Sequence, residues 1–395
     1  MEDPIQVPAT HRPAQTVARG ACSIFFAYDI GLAIDLADAQ ARIAAANRPG
    51  VTRHRRRGPV NYGYHSPPVR VKETASPVPI GAFRTSPEVE FAFFDFGAVS
   101  VAYFLPFECP LDGLLELSDL LYENTALLAD SRNRVQMLVD MLRTAIKKPA
   151  ISPFVEDYVL YEMEEFGWGA TPMGSATGGP VERVPQQPVM DALLQHSPLV
   201  ARVLRGERED LAPQEVEDAV SCRIAFARSD AAFIDWNASL LVGSDMNDVR
   251  AVLEYANVEL LEMRYLDDRL DRALDQSYLG PVETGPRRLL SGRSAAELRA
   301  LAELQADSAL LFEGVNNALK LVGDQYLARV YHLISKRLHL PEWDASILRK
   351  LGTLDSIYQK RNDFQTSRRL ETLEWIVVIL IAVEVMLSVF SHLWK

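Results

Sequence analysis

The sequence predicts an α+β N-terminal domain followed by an all-α, helical and coiled-coil region and one C-terminal transmembrane helix. Three observations predict it. Aromatic and β-branched runs alternate with helical stretches, without a regular βαβ repeat, up to about residue 244. A helical period takes over at Asp245. The segment from Trp375 to Leu393 is a sustained apolar run interrupted by one carboxylate, Glu384. The expected divisions are a loose N-terminus (1–20), an α+β domain (21–244) with a flexible loop at 167–187, a long-helix region (245–372) and an anchor (373–393).

In chain order, Ser23 to Tyr28 (SIFFAY) reads as a buried strand, and an alanine-rich helix follows from Gly31. The loop RPGVTRHRRRGP carries Arg53, Arg55, Arg56 and Arg57, a candidate contact for RNA or anionic lipid, although a solvated loop has the same composition. A strand over Val69 to Thr74 is expected next. From Val89 to Phe107, two apolar runs flank Asp95-Phe96-Gly97, which predicts a hairpin with glycine at a position of positive φ. Helices are expected over Leu111 to Tyr122 and Ser131 to Lys147, and a strand over Glu156 to Glu165. The glycine-rich stretch from Gly167 to Gln187 lacks both the phosphate-loop and the dinucleotide spacing, so it reads as a surface loop. A helix over Val189 to Arg205 precedes a second hairpin, formed by Cys222 to Ala227 and Ala232 to Val242 and joined around Ser229-Asp230.

Beyond Asp245, Leu253, Ala256, Leu260, Met263, Leu270 and Leu274 make an apolar stripe. Ser294 and Glu297 form a capping-box pattern. It opens a helix in which Leu298, Leu301, Gln305, Ser308, Phe312, Val315, Leu319, Val322, Tyr326, Arg329 and Leu333 recur at alternating steps of three and four, a heptad seam with polar insertions that Pro341 ends. A last helix, unbroken from about Ala345 to Leu393, would be about 70 Å long. Its final segment matches a hydrocarbon core of roughly 30 Å. Trp375 and Trp394 stand where interfacial aromatics belong, and Lys360, Arg361, Arg368 and Arg369 precede the span. These residues predict a tail-anchored protein of the inner (cytoplasmic) membrane with its N-terminal domain in the cytoplasm. A carboxylate within such a span needs a partner, so Glu384 is expected to mediate intramembrane association in a homo-oligomer.

Composition narrows the function classes. Lys+Arg number 41 against 53 Asp+Glu, and the net charge of -12 argues against a chain that coats nucleic acid as a whole. Cys22, Cys109 and Cys222 lie far apart with no CxxC pair, so neither a disulfide framework nor a cysteine zinc site is expected. There is no GxSxG elbow, HExxH or phosphate loop, so no cofactor, metal or catalytic residue is singled out. The N-terminal residues match neither a secretory signal nor a transit peptide. Asp235 and Asn237 share one face of the expected strand FIDWNAS, which makes them either a candidate cleft or the wet side of a half-covered sheet.

The string RRLETLEWIVVILIAVEVMLSVF, Arg368 to Phe390, resembles the terminal signature of the required-for-meiotic-nuclear-division family, a group of bacterial and mitochondrial membrane proteins. IDWNASLLVG (Ile234 to Gly243), VLEYANVELLEMRYLDDRLD (Val252 to Asp271) and the stretch from Gly323 to Tyr358 are similar to bacterial members. The resemblance implies one C-terminal transmembrane helix, and a partner related to the ribosome or to RNA, since the mitochondrial relatives support translation at the inner membrane. It supplies no catalytic residues. The expected function is a membrane-tethered, non-enzymatic adaptor or scaffold that oligomerises and presents its α+β domain to a partner. The alternative is an enzyme whose cleft includes Asp235 and Asn237.

Overall fold

The computed structural model describes residues 17–45, 52–53, 67–167, 188–243, 246–279, 302–304, 306–313, 315 and 325–393. The strands are β1 (Val17–Asp29), β2 (Ala33–Ile34), β3 (Thr52–Arg53), β4 (Val69–Thr74), β5 (Pro79–Ile80), β6 (Phe83–Arg84) and β7 (Glu88–Phe93). They continue with β8 (Ala98–Pro110), β9 (Ile146–Lys147), β10 (Glu156–Gly167), β11 (Arg223–Ile224), β12 (Ala231–Ile234) and β13 (Ala238–Val242). The helices within the family of strands are α1 (Leu36–Ala45), α2 (Gly113–Leu121), α3 (Thr125–Leu142), α4 (Val189–Leu194), α5 (Ser197–Arg205) and α6 (Pro213–Ala219). After them come α7 (Asn247–Leu279), α8 (Gln325–Arg337) and α9 (Leu340–Leu393). The chain divides into two compact units, 1–265 with 311–342, and 266–310 with 343–395.

The first unit is built on a nine-stranded sheet of order β11-β12-β13-β10-β1-β8-β7-β4-β3. β10 and β13 run parallel, and the other neighbours are antiparallel. β1 lies between β8 and β10, so it is paired along both edges and buried on both faces. This explains why its residues form a nearly unbroken apolar run rather than an alternation. Side-chain alternation sends Ile24, Phe26, Tyr28, Val101 and Tyr103 to one face, where helices α1 to α6 cover them. Phe25, Ala102, Tyr158, Leu160 and Leu241 point to the other. There they meet Val249, Leu253 and Ala256 of α7 and Leu327, Val330 and Ile334 of α8.

The expected α+β class and the hairpin at Gly97 agree with this structure. The continuous strand expected through FIDWNAS does not: β12 and β13 pair with Ile234 opposite Ser239, and Asp235-Trp236-Asn237 forms the turn between them. The Asp235 N–H donates to the Ala238 carbonyl at 2.9 Å. The helix expected over 189–205 is two helices, because Pro198 cannot supply an N–H inside a continuous helix and instead stands in the first turn of α5. The heptad seam is also redistributed. Leu327, Val330 and Ile334 face the sheet, while Leu319 and Val322 lie outside the described residues.

In the second unit, Leu270, Ile347 and Leu354 are buried. Lys350 Nζ pairs with Asp267 at 2.7 Å and Asp271 at 2.6 Å, and Ser346 Oγ donates to Asp267 at 3.1 Å. α9 is unbroken for 54 residues, about 80 Å. The expected anchor is overturned. Among the described residues no helix is long and apolar enough to cross a membrane. Between Leu373 and Leu387, α9 exposes apolar side chains. Glu374 and Glu384 fall within that stretch. The transmembrane and tail-anchored assignments and the inner-membrane location derived from them lapse with it, as do the interfacial role of Trp375 and the intramembrane role of Glu384. Both side chains are exposed on α9, and Trp394 lies outside the described residues.

Candidate functional site

Two clusters of charged groups in the first unit join elements distant in sequence. One is the turn between β12 and β13. The Asp235 side chain is fully buried, and guanidinium groups grip both of its oxygens: Arg205 Nε donates to Oδ2 at 3.1 Å and Arg337 Nε to Oδ1 at 2.6 Å. The Trp236 N–H adds a bond to Oδ1 at 2.9 Å. The same arginines reach Asp218 of α6, Arg205 at 2.6 Å and Arg337 at 3.0 and 2.6 Å, and Arg205 also pairs with Glu215. Hydrogen bonds from Arg337 hold the Asp218 carboxyl below the usual range and keep the Arg337 guanidinium firmly charged. Beneath the turn, Tyr158 Oη donates to the Asp235 carbonyl at 2.8 Å and lies 2.6 Å from Ser239 Oγ. A carboxylate alone in this interior would be strongly disfavoured, so the two arginines are what permit it. The cluster fastens α5, α6, α8 and the hairpin at one point.

The second concentration lies between α7 and the outer strands of the sheet. Arg70 of β4 donates to Glu90 of β7 at 2.7 Å and to Glu254 of α7 at 2.5 Å. Arg250, one turn before Glu254, lies 4.5 Å from the centre of the Phe104 ring and 5.6 Å from that of Phe25, within cation–π range. Burial alone would raise the Glu90 carboxyl, but Arg70 and Arg250 outweigh it and hold it low. Burial wins at Arg250, depressing its guanidinium despite Glu162, Glu90 and Glu254 nearby. Ser23 Oγ donates to Glu162 at 2.8 Å. These side chains share one sheet face, because Ala21 opposes Glu162, Ser23 opposes Phe104 and Ala102 opposes Glu90.

Farther along α7, the buried Glu156 at the start of β10 pairs with Arg264, and Asn257 Nδ2 donates to the Glu156 carbonyl at 3.2 Å. Burial pushes the Glu156 carboxyl up to about 7; Arg264 opposes the rise and Asp157 adds to it. With an unfolded value of 4.5, the folded state holds this proton more tightly. Its contribution is therefore present in full below about pH 4.5 and is lost as pH rises through about 7. Glu156→Gln should remove that slope. Melting temperatures of the two proteins between pH 5 and 8 test it, and parallel curves would exclude the assignment.

Of the sequence candidates, Asp235 and Asn237 fall in one turn, with Asn237 half-buried and its carbonyl accepting from Val159 N–H at 3.1 Å. The Asp235 carboxylate is occupied by the two arginines rather than facing a cleft. Arg53 belongs to β3, opposite Val71; Arg55, Arg56 and Arg57 lie outside the described residues, as do the loop at 168–187 and residues 1–16. Sequence reasoning missed Arg205, Asp218 and Arg337, and Arg70, Glu90, Arg250 and Glu254. One signal was present: Arg250 and Glu254 sit four apart, beside the apolar positions Leu253 and Ala256 rather than on the opposite face.

The family described as "Uncharacterized protein MJ0711, N-terminal domain" matches residues 19–248. The chain belongs to this family. The match takes in the sheet from β1 to β13, with Arg205, Asp218 and Asp235, and stops at the start of α7. The α7 residues Arg250 and Glu254, and Arg337 of α8, lie beyond it. A curated relative, "Uncharacterized protein MJ0711" of Methanocaldococcus jannaschii, is 21% identical over 255 residues, covering 64% of this chain and 71% of the relative. No solved structure matches the chain.

Proposed function

We propose that the protein is a non-enzymatic scaffold that assembles through α9 with further copies of itself and presents its sheet-bearing unit to a protein partner. One observation carries this reading. From Leu373 to Leu387, α9 exposes Trp375, Ile376, Ile379, Leu380, Met386 and their apolar neighbours to solvent. Twelve large apolar side chains between Leu373 and Leu387 are 42–67% exposed, and a contiguous exposed apolar patch of this kind marks an interaction surface. Apolar residues occupy every side of this stretch, so a single facing helix would leave half of it in water, and a bundle of more than two copies covers it better. Glu384 then meets its counterparts inside the bundle, where a carboxyl hydrogen-bonded between copies is accommodated.

The net charge of -12 favours a protein over a nucleic-acid surface as the partner of the sheet-bearing unit. The resemblance to the required-for-meiotic-nuclear-division family supports a partner connected with translation.

Sedimentation velocity of the full chain over a range of concentrations tests the assembly. The expected result is a species larger than a dimer, which Ile379→Lys shifts to smaller size while leaving the sheet-bearing unit folded. A full chain that stays monomeric, or enters detergent micelles as a monomer, would overturn the reading.

A further inference from the structure

In a chain of net charge -12, helix α8 is basic: it contains Arg329, Lys336 and Arg337 and no acidic residue. Its inner face is occupied. Leu327, Val330 and Ile334 pack on the sheet, and Arg337 turns to Asp235 and Asp218. On the outer face Arg329, His332 and Lys336 are exposed, and steps of three and four put them on one side of the helix. Among the described residues neither Arg329 nor Lys336 has an ion-pair partner.

One end of this stripe adjoins an exposed ring. Phe226, in the turn between β11 and β12, is 76% exposed. Its ring lies 5.4 Å from that of Tyr326, edge to face, and the Arg329 guanidinium lies 5.9 Å from the Tyr326 ring centre. The turn holds Phe226 out in water. The Phe226 and Ala227 N–H groups donate to Asp230 Oδ1 at 2.9 and 2.8 Å, and the Arg228 carbonyl accepts from Val189 N–H at 3.0 Å. A fixed, exposed aromatic beside unpaired cations has the composition of an interface, where aromatic residues and arginine are enriched.

We propose that Phe226, Arg329, His332 and Lys336 form a docking surface for a short acidic segment of a protein partner, one that also offers an apolar side chain to Phe226. The proposal rests on the reading that the sheet-bearing unit receives a protein partner, and it gives that partner a place and a chemistry. Charge complementarity sets the sign. From Arg329 to Lys336 the helix rises about 10 Å, which carboxylates about three residues apart in an extended segment span. Nucleic acid fits less well, because a polyanion meets the repulsion of the whole chain. Single strands are also held by successive stacking rings, whereas Tyr326 is half-buried and leaves Phe226 as the exposed ring of the pair.

Fluorescence anisotropy of a labelled peptide of repeated Glu-Leu-Ser units, titrated with the full chain, tests the surface. The expected result is saturable binding that weakens as salt is raised. Binding should fall at least about tenfold in the double variant Arg329→Glu with Lys336→Glu, and again in Phe226→Ser. Arg329→Lys with Lys336→Arg should retain it. All these side chains but one methylene stem are at the surface, so melting by circular dichroism should match wild type. A peptide that fails to saturate, or binds every variant alike, would overturn the proposal, as would a labelled oligouridylate that binds more tightly than the peptide. Sedimentation velocity separates this surface from assembly through α9. A chain that assembles but ignores the peptide overturns the surface alone, and a monomeric chain that binds it supports the surface and overturns only the assembly.

Discussion

Gly97→Ala is expected to destabilise the sheet-bearing unit by about 3–5 kcal/mol. Gly97 has φ +106°, where an L side chain is strained. A Cβ there would stand 1.8 Å from the Gly31 carbonyl oxygen, a backbone atom that cannot rotate away. The turn is also fastened on both sides. Gly97 N–H donates to Phe94 O at 3.2 Å, Ile30 N–H donates to Gly97 O at 2.9 Å, and Ile34 N–H donates to Asp95 O at 2.8 Å. Relieving the clash therefore means moving the chain at 30–34 as well. Gly352→Ala is the contrast, because Gly352 lies within α9 and a Cβ there meets nothing within 4 Å. That change should stabilise its helix by about 0.5–1 kcal/mol. Urea denaturation distinguishes the two, and a Gly97→Ala protein as stable as wild type would mean that the turn is built differently.

Arg337→Met is expected to cost about 3 kcal/mol, because it removes one of the two guanidinium groups that grip a fully buried carboxylate. Methionine keeps much of the aliphatic length, so the loss reports the charge rather than packing. The remaining clamp, Arg205 on Asp235 Oδ2 at 3.1 Å, leaves Oδ1 with the Trp236 N–H. Combining the change with Asp235→Asn takes away the charge left behind. The double variant should therefore be more stable than the sum of the single changes by over about 1 kcal/mol. Additivity within about 0.5 kcal/mol would show that Arg337 and Asp235 do not act as a pair.

Much of the fold was legible because its signals are local. The apolar runs on either side of Asp95-Phe96-Gly97 identify β7 and β8, and the glycine marks the turn through its own backbone freedom. The 3.6-residue stripe through Leu253, Ala256 and Leu270 identifies α7, and all three are buried. The turn at Asp235-Trp236-Asn237 was read as strand because it contains no glycine or proline, and the flanking residues alternate across it as they would along one strand. The heptad pattern near Tyr326 and Leu333 was read as a helix seam, yet the structure turns that surface of α8 toward the sheet. An apolar helical stripe specifies that a face is covered, not what covers it.

The charged clusters were not legible for a different reason. Arg70 and Glu254 are 184 residues apart in sequence, and Arg337 and Asp235 are 102 apart. Nothing near either residue names its partner, and in a chain with this many charged side chains each reads most naturally as a solvated group. The same limit applied at the C-terminal end. The run from Trp375 was recognisable as apolar and helical, and α9 is a single helix there, but the described helix is not long and apolar enough to cross a membrane. The sequence by itself determined the strands β7 and β8 with their glycine turn and the helix α7 with its buried face, since these follow from neighbouring residues and their spacing. Only the tertiary structure decided that Asp235 is held by two arginines and that Arg70, Glu90, Arg250 and Glu254 meet beneath α7. A buried ion pair depends on the distance between groups and on the water excluded from them, and both are set by how distant segments pack.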